Sequence, residues 1–161
     1  VSTWMAGQAK VVAVYDTPFW RNQGLSGDAM SRMGPMVEIH DASPYNGGPY
    51  ALFGFIGVPP AGRVDEFLLK QRLKAQFVRL FGPEAAEMNE LYVKDWAVDP
   101  RTATQADKDP IYAHSTYGLP EVMTNQFDGA LHFAGTEVAS EFGGYIEGAL
   151  AAAEDVLSAL R

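Results

Sequence analysis

The sequence contains no cysteine among its 161 residues. Disulfide bonds, thiolate metal sites and cysteine nucleophiles are therefore excluded within it. Basic residues are also scarce, since 12 lysines and arginines stand against 20 aspartates and glutamates, a formal net charge of −8. Nucleic acids and anionic membrane surfaces attract proteins with basic patches, so this balance argues against either as a partner.

Long apolar runs and a targeting segment are missing too. No stretch approaches the roughly 20 apolar residues that a membrane span needs, and the first residues lack the basic-then-apolar layout of a signal peptide. We therefore expect a soluble protein and assign it by default to the cytoplasm. Three scattered histidines, His40, His114 and His132, make a poor ligand set, so no metal is expected. His132 lies in an apolar run, and we expect it in the core.

The chain also has no G-x-G-x-x-G fingerprint after an early strand, so the usual βαβ unit that binds dinucleotides is missing from it. It does have the apolar content for a core, because 47% of its residues are hydrophobic and 20% are charged. The composition predicts an ordinary globular protein.

The last stretch, residues 131–161, carries the strongest pattern. An apolar run at 131–134 predicts a buried strand that ends at Gly135. Gly143 and Gly144 then precede apolar residues with the spacing of one helix face: Ile146, Ala149, Leu150, Ala153, Val156, Leu157 and Leu160. A helix start offers unpaired backbone N–H groups and the positive end of the helix dipole, and glycines let a ligand approach closely. Strand, acidic residue and helix start together indicate a cofactor site.

The sequence F-A-G-T-E, followed by G-G-Y-I-E-G-A, resembles the C-terminal flavin-binding motif of the flavin monoamine oxidase family. The resemblance implies that Gly135, Thr136 and Glu137 lie along the ribityl-pyrophosphate part of FAD. It implies that Gly144, Tyr145 and Ile146 lie at the isoalloxazine ring, with the Ile146 N–H facing the pyrimidine edge. The alternative is a strand-turn-helix whose glycines only serve a tight turn.

Residues 10–21, K-V-V-A-V-Y-D-T-P-F-W-R, resemble the same family, and the apolar residues 11–15 predict a strand. In the family a lysine opens this strand and reaches the N5 edge of the flavin through a water, a role that falls on Lys10. The alternative is a surface lysine at a strand end. We expect Trp20 and Arg21 to be structural, as an aromatic anchor with a guanidinium partner.

Residues 96–120 are predicted to be loop-like because of their prolines and glycine. The resemblance places Trp96 near the flavin and makes Lys10, Trp96 and Tyr145 the catalytic residues. The chain departs from the better-known amine oxidases here, because it has neither their flavin-linked cysteine nor their cage tyrosine. The FAD is therefore expected to be non-covalent. Tyr145 would supply one wall of an amine cage, and His114 and Tyr117 are weak candidates for the other.

Between these motifs, β-favouring residues predict strands at 36–40, 50–56 and 91–96. Apolar periodicity predicts a helix over 64–81 that ends at Gly82-Pro83, and a shorter helix over 84–89. The basic residues of this region are interpreted as a solvated helix face rather than a phosphate site: Arg63, Lys70, Arg72, Lys74 and Arg79.

The predicted fold class is α+β. Residues 1–128 would form part of a substrate domain with a mixed or antiparallel sheet and helices, and residues 129–161 the last strand and helix of an FAD-binding domain. The implied whole is a flavin amine oxidase that oxidises an amine to an imine and is reoxidised by dioxygen to give hydrogen peroxide. This chain would be a fragment or subunit of it, inactive alone, with the N-terminal remainder of the oxidase as its partner and a homo-oligomer as a further option.

Three alternatives remain at this point: an amino-acid oxidase, a desaturase, and a non-catalytic binding fragment. For the amino-acid oxidase, Arg101 is the only loop candidate to bind a carboxylate. The missing N-terminal half of the FAD site is the reason for the last of these. A proteolytic product, one subunit of a split enzyme and a truncated chain all fit the same pattern.

Overall fold

The computed structural model describes residues 7–109 and 116–160. The chain divides into two compact units, residues 1–113 (unit 1) and residues 114–161 (unit 2). The boundary between the two units, at 113/114, comes earlier in the chain than the domain boundary at 128/129 that the sequence predicts. The assignment of residues 1–128 and 129–161 to a substrate domain and an FAD-binding domain stays a prediction.

Unit 1 contains a five-stranded sheet whose pairings are all antiparallel, so the predicted sheet is confirmed in its antiparallel form. Its strands are β1 (Ala9–Tyr15), β2 (Ala29–Met30), β3 (Met36–Asp41), β4 (Tyr50–Ile56) and β5 (Glu90–Asp95), in the order β2-β3-β4-β1-β5. The helices are α1 (Phe19–Asn22) and α2 (Glu66–Phe81) in unit 1 and α3 (Ile146–Ala159) in unit 2. No helix in the described part of the chain is long and apolar enough to cross a membrane.

One face of the sheet is covered and the other is more exposed. In β1 the side chains of Ala9, Val11, Ala13 and Tyr15 are buried, and the alternate residues are only half-buried, as the period of two requires. The register pairs the half-buried residues of β1 with residues of β4 and β5 that lie on the same face of the sheet. We call this second face the open face. On the three strands it contains Lys10, Val12, Val14, Ala51, Phe53, Phe55, Glu90, Tyr92 and Lys94.

Helix α2 packs against the covered face. Its buried apolar residues recur at three- and four-residue spacing: Leu69, Leu73, Phe77 and Phe81. Asp65 caps its N-terminus by accepting a hydrogen bond from the Leu68 N–H at 2.9 Å, so the helix begins at Glu66, slightly later than predicted. The predicted second helix over 84–89 is a single 3₁₀ turn, Pro83–Ala86.

A buried amide joins α2 to the sheet. The Gln76 side chain accepts a hydrogen bond from the Met36 N–H at 2.7 Å and donates one to the Met36 carbonyl at 2.8 Å. A register shift interrupts the β3–β4 pairing between Met36 and Glu38. Gln76 therefore satisfies the two backbone groups of Met36 at this irregularity.

Trp20 and Arg21 are structural, as predicted. Trp20 is fully buried and makes edge-on contacts with Tyr15 and Phe19, with ring centroids 5.6 and 5.1 Å away. The Asp41 carboxylate accepts hydrogen bonds from Trp20 Nε1 at 2.8 Å and Arg21 Nε at 2.7 Å. Burial alone would raise the pKa of Asp41, but hydrogen bonds from Arg21, Ser43 and Trp20 outweigh it and hold that pKa well below its usual range.

In its described residues, 116–160, unit 2 contains α3 and two 3₁₀ turns, Glu121–Met123 and Thr136–Val138, joined by irregular backbone. The strand predicted at 131–134 is wrong. A strand requires a neighbour for its ladder of hydrogen bonds, and the described residues of unit 2 contain no strand to pair with it. His132, predicted to be a core residue, is exposed for the same reason.

Candidate functional site

The motif residues of unit 2 meet at the start of α3. The Thr136 hydroxyl accepts a hydrogen bond from the Gly144 N–H at 2.7 Å and donates one to the Tyr145 carbonyl at 2.8 Å. The Tyr145 N–H donates to the Phe142 carbonyl at 3.1 Å. These bonds fix the glycine loop to the Thr136–Val138 turn, so one hydroxyl sets the direction in which the helix begins.

The glycines of this loop are required by their surroundings. Gly144 has a φ of +86°, in the left-handed region that L side chains rarely adopt. A Cβ on Gly143 would overlap with the Tyr117 side chain, and one on Gly148 would overlap with the Phe142 carbonyl oxygen. Gly148 is therefore a missed member of the site. The signal for it was a glycine in a helix interior, where alanine is more stable by about 1 kcal/mol.

The N-terminus of α3 is open to a ligand. No side chain caps it, Tyr145 is 72% exposed and Ile146 is 82% exposed. The first N–H groups of the helix thus have no side-chain cap, and the positive dipole end there favours an acceptor or a negative charge. The Glu137 side chain is exposed on the neighbouring turn, and the backbone carbonyl of Glu137 accepts from the Gly118 N–H at 3.1 Å.

A cavity of about 370 Å³ lies within unit 2 beside α3. Its lining is largely apolar and includes Leu131, Phe133, Val138 and Val156, with Asp155 among its polar residues. Leu131, His132 and Phe133, from the run predicted as a strand, thus contribute to the wall of a cleft rather than to a sheet.

In unit 1, Lys10 lies half-buried on the open face over two aromatic rings. Its ammonium nitrogen is 5.3 Å from the centroid of the Phe55 ring and 5.8 Å from that of Phe53. The two rings contact each other edge-to-face, with centroids 4.8 Å apart. None of the ion pairs in residues 7–109 involves Lys10, so its charge is held by rings rather than by a carboxylate.

Trp96 follows β5 in the 3₁₀ turn Trp96–Val98. The Lys94 ammonium lies 4.5 Å from the centroid of its ring and 2.6 Å from an oxygen of Asp99. The hydrogen bond from Lys94, together with the N–H of Arg101, lowers the pKa of Asp99. A cation thus occupies one face of the Trp96 indole in this structure.

Arg63 was predicted to be on a solvated helix face, and this is wrong. It lies before α2 and is only 5% exposed, with two nitrogens 2.7 and 2.8 Å from the Asp95 carboxylate. Asp95 in turn accepts from the Ala97 N–H at 3.0 Å and caps the turn that begins at Trp96. This pair, which sequence reasoning missed, fixes the backbone at Trp96. The position of Arg63 between Gly62 and the helix cap Asp65 was the available signal.

The structure therefore forms one cluster in each unit. In unit 1, Lys10 and Lys94 are direct cross-strand neighbours, and Lys94 contacts Trp96. In unit 2, Thr136 contacts Gly144 and Tyr145, with Gly135, Glu137 and Ile146 adjacent in the chain. Arg101 is exposed, and His114, named as a cage candidate, lies outside the described residues. The predicted roles of these residues toward a flavin stay predictions.

Known proteins resemble this chain over nearly its whole length. The family model described as flavin containing amine oxidoreductase matches residues 2–157. The probable flavin-containing monoamine oxidase A of Dictyostelium discoideum is 30% identical over 158 residues, which are 91% of this chain and 32% of that protein. The flavin-containing amine oxidase B of Sus scrofa is 28% identical over 158 residues, 90% of this chain and 29% of that protein.

A solved structure of putrescine oxidase bound to putrescine matches 95% of this chain, with a TM-score of 0.72 and 26% sequence identity. The match covers 34% of the putrescine oxidase chain. This chain thus spans about a third of the length of the relatives that it matches.

Proposed function

Because the chain belongs to the flavin-containing amine oxidoreductase family, we propose that it supplies part of an FAD-dependent amine oxidase. The proposed reaction converts a primary or secondary amine to an imine and dioxygen to hydrogen peroxide. The names of its relatives, monoamine oxidase and putrescine oxidase, support an amine as substrate over an amino acid. Arg101, the candidate for binding a carboxylate, is an exposed loop residue that nothing assigns to a site.

The observation that carries this proposal is the uncapped start of α3, with the motif residues gathered around it. A flavin ring gains negative charge at its pyrimidine edge when it is reduced, and a helix N-terminus stabilises such a charge. The left-handed backbone of Gly144 forms the turn that leads into this helix start, and the Tyr117 side chain packs against Gly143 and Gly144. The residues of this chain therefore fit the cofactor that the family implies.

Each residue of the cluster has a proposed part. The N–H of Ile146 would donate to the pyrimidine edge of the flavin, and Thr136 keeps that N–H in place through Gly144. Glu137, with Gly135 beside it, would accept hydrogen bonds from the ribityl-pyrophosphate portion. FAD, when bound, supplies the redox chemistry by accepting a hydride equivalent from the α-carbon of the amine and passing two electrons to dioxygen.

On the open face of unit 1, Lys10 would stabilise the negative charge that develops during reoxidation by dioxygen. Trp96 would lie near the flavin, and Tyr145 would supply one aromatic wall for the amine. Because the chain has no cysteine, a thioether from it to the flavin cannot form, and the FAD is proposed to be non-covalent. Acid precipitation of the complete oxidase should then release all flavin into the supernatant.

The test uses the full-length protein that contains this chain, reconstituted with FAD. Under nitrogen, an active amine should bleach the flavin absorbance, and admission of dioxygen should restore it with one hydrogen peroxide formed per amine. The 161-residue chain alone should retain little or no FAD and show no turnover, because it lacks the βαβ unit that binds the pyrophosphate. A flavin that no amine in a broad panel bleaches would contradict the proposed reaction.

The charge of Lys10 is tested separately. Lys10→Met keeps the apolar stem and removes the ammonium, so the reaction with dioxygen should slow about ten- to a hundredfold, roughly 1.4–2.8 kcal/mol of barrier. Reduction by the amine should change much less. Stopped-flow measurement of the two half-reactions distinguishes the outcomes, and unchanged reoxidation would make Lys10 a strand-end lysine only.

A further inference from the structure

The Lys10 side chain has an unusual support. Its stem leaves β1 at the residue directly opposite Phe55 of β4, and Val12, two residues on, is opposite Phe53. Both rings therefore lie on the same face as the lysine, one directly across and one on the diagonal. The ammonium lies within 6 Å of both ring centroids, the range in which a cation is attracted to an aromatic face.

A second ammonium lies on the strand that flanks β1 on its other edge, β5. Lys94 of β5 is the direct cross-strand partner of Lys10, and like charges in such a pair repel. The Lys94 ammonium lies over the Trp96 ring and is paired with the Asp99 carboxylate at 2.6 Å. The two cations therefore have different partners. Lys94 is paired with a carboxylate, whereas the Lys10 ammonium lies over aromatic rings.

We propose that Phe53 and Phe55 are positioning residues that hold the Lys10 ammonium on the open face without neutralising it. A carboxylate would fix the lysine equally well, but it would cancel the positive field that the proposed oxidase reaction uses. An aromatic pair restrains the four-carbon stem and leaves the net charge intact. The functional part of this inference rests on the proposed role of Lys10.

The two rings contribute unequally. Phe55 is the nearer ring and the direct cross-strand neighbour, so its removal should release the ammonium most. Phe53 contacts the cation at longer range and holds the Phe55 ring through their edge-to-face contact. Tyr92 of β5 lies on the same face, opposite Val12, and its ring is not one of the two beneath the ammonium. It is the matched control.

The first measurement is independent of flavin. In the NMR spectrum of the 161-residue chain, the ε-methylene protons of Lys10 should be shifted upfield by the two rings relative to exposed lysines. Phe55→Leu should remove most of this shift and Phe53→Leu part of it, while Phe55→Tyr retains it and Tyr92→Leu leaves it unchanged. A Lys10 resonance at the position of exposed lysines in the parent chain, or one insensitive to Phe55→Leu, overturns the proposal. Phe55→Met, whose flexible side chain adapts to irregular space, replaces Phe55→Leu if that variant does not fold.

The second measurement is a double-mutant cycle in the FAD-loaded full-length oxidase. Phe55→Leu should slow reoxidation by dioxygen about three- to tenfold, Phe55→Tyr should restore it, and Phe55→Leu should add nothing to Lys10→Met. Equal slowing by Phe55→Leu in both backgrounds overturns the positioning role. If Lys10→Met itself leaves reoxidation unchanged, the proposed function of Lys10 fails, and the NMR measurement still decides whether the rings hold the lysine.

Discussion

The two units of this chain differ in what they bury. Unit 1 encloses large side chains on the covered face of its sheet, with Trp20, Met36 and Phe77 fully inaccessible. Among the described residues of unit 2, the buried apolar side chains are those of two alanines, Ala139 and Ala152. Many of its larger apolar residues are exposed, including several on and around α3: Phe142, Tyr145, Ile146, Leu150, Leu157 and Leu160.

The difference shows two ways in which a chain can be held in one conformation. The fold of unit 1 is stabilised by burial, which contributes roughly 1.5–3 kcal/mol for each large apolar side chain removed from water. Unit 2 has little such burial and depends on local backbone hydrogen bonds, the Thr136 hydroxyl and glycines in turns. Exposed apolar surface of this kind is typical of sites where a protein contacts another protein segment or a ligand. Substitutions should therefore act globally in unit 1 and locally in unit 2.

The largest expected effect is in unit 1. Arg63→Met would leave the mostly buried Asp95 carboxylate without its bidentate partner, and breaking a buried pair in this way costs about 3–5 kcal/mol. Urea unfolding followed by tryptophan fluorescence measures it. Arg72→Met, on the exposed side of α2, is the matched control and should change the free energy of unfolding by less than about 0.5 kcal/mol. Equal effects of the two would show that the Arg63 pair does not stabilise unit 1.

The next effect tests unit 2. Gly148→Ala places a methyl group against the Phe142 carbonyl oxygen, which is backbone and cannot rotate away, so we expect a cost of about 3 kcal/mol confined to unit 2. Helix propensity alone predicts the opposite sign, a gain of about 1 kcal/mol. Hydrogen exchange of the α3 amides measures the local stability. Slower exchange in the variant would show that the contact at Gly148 is not restrictive.

A smaller effect concerns binding rather than folding. Glu137 is exposed on the Thr136–Val138 turn, so Glu137→Ala should leave both units folded. Loss of hydrogen bonds to a charged acceptor should weaken FAD binding to the complete oxidase by about 1.5–3 kcal/mol, on the order of ten- to a hundredfold in Kd. Flavin retained after extensive dialysis measures this, and Glu141→Ala serves as control. Full retention in Glu137→Ala would make Glu137 a turn residue.

The smallest effect is a pH dependence in unit 1. His40 contacts Glu38 at 2.8 Å and Asp28 at 3.0 Å, and these two carboxylates raise its pKa above 6.5. A raised pKa contributes stability that is fully present below pH 6.5 and is lost as the pH rises through the folded-state value. His40→Gln should therefore lower Tm by about 1–3 °C at pH 5.5 and have no effect at pH 9. A difference that is the same at both pH values would exclude titration of His40 as its cause.

The sequence predicted those elements whose signals are local. Strand β4 was expected at the residues where it is found because its run is rich in β-favouring residues, and α2 and α3 followed from their apolar spacing. The glycine loop before α3 was also correctly located. Two predictions were wrong and one contact was not predicted, because each depends on residues distant in the chain. The run at 131–134 has no partner strand among the described residues of its unit, and Arg63 meets Asp95 across 32 positions. The unpredicted contact is that of Lys10 with Phe55, which the β1–β4 register creates.

The buried Gln76 amide has a consequence for how the gene can vary in length. One residue inserted between Asp65 and Gln76 would turn the amide about 100° around the helix axis and away from Met36. Two backbone groups at the β3 irregularity would then be buried without partners. The loops at 42–49 and 57–62 carry no such constraint from α2. Insertions and deletions should therefore accumulate in these loops, while the distance from Asp65 to Gln76 stays fixed.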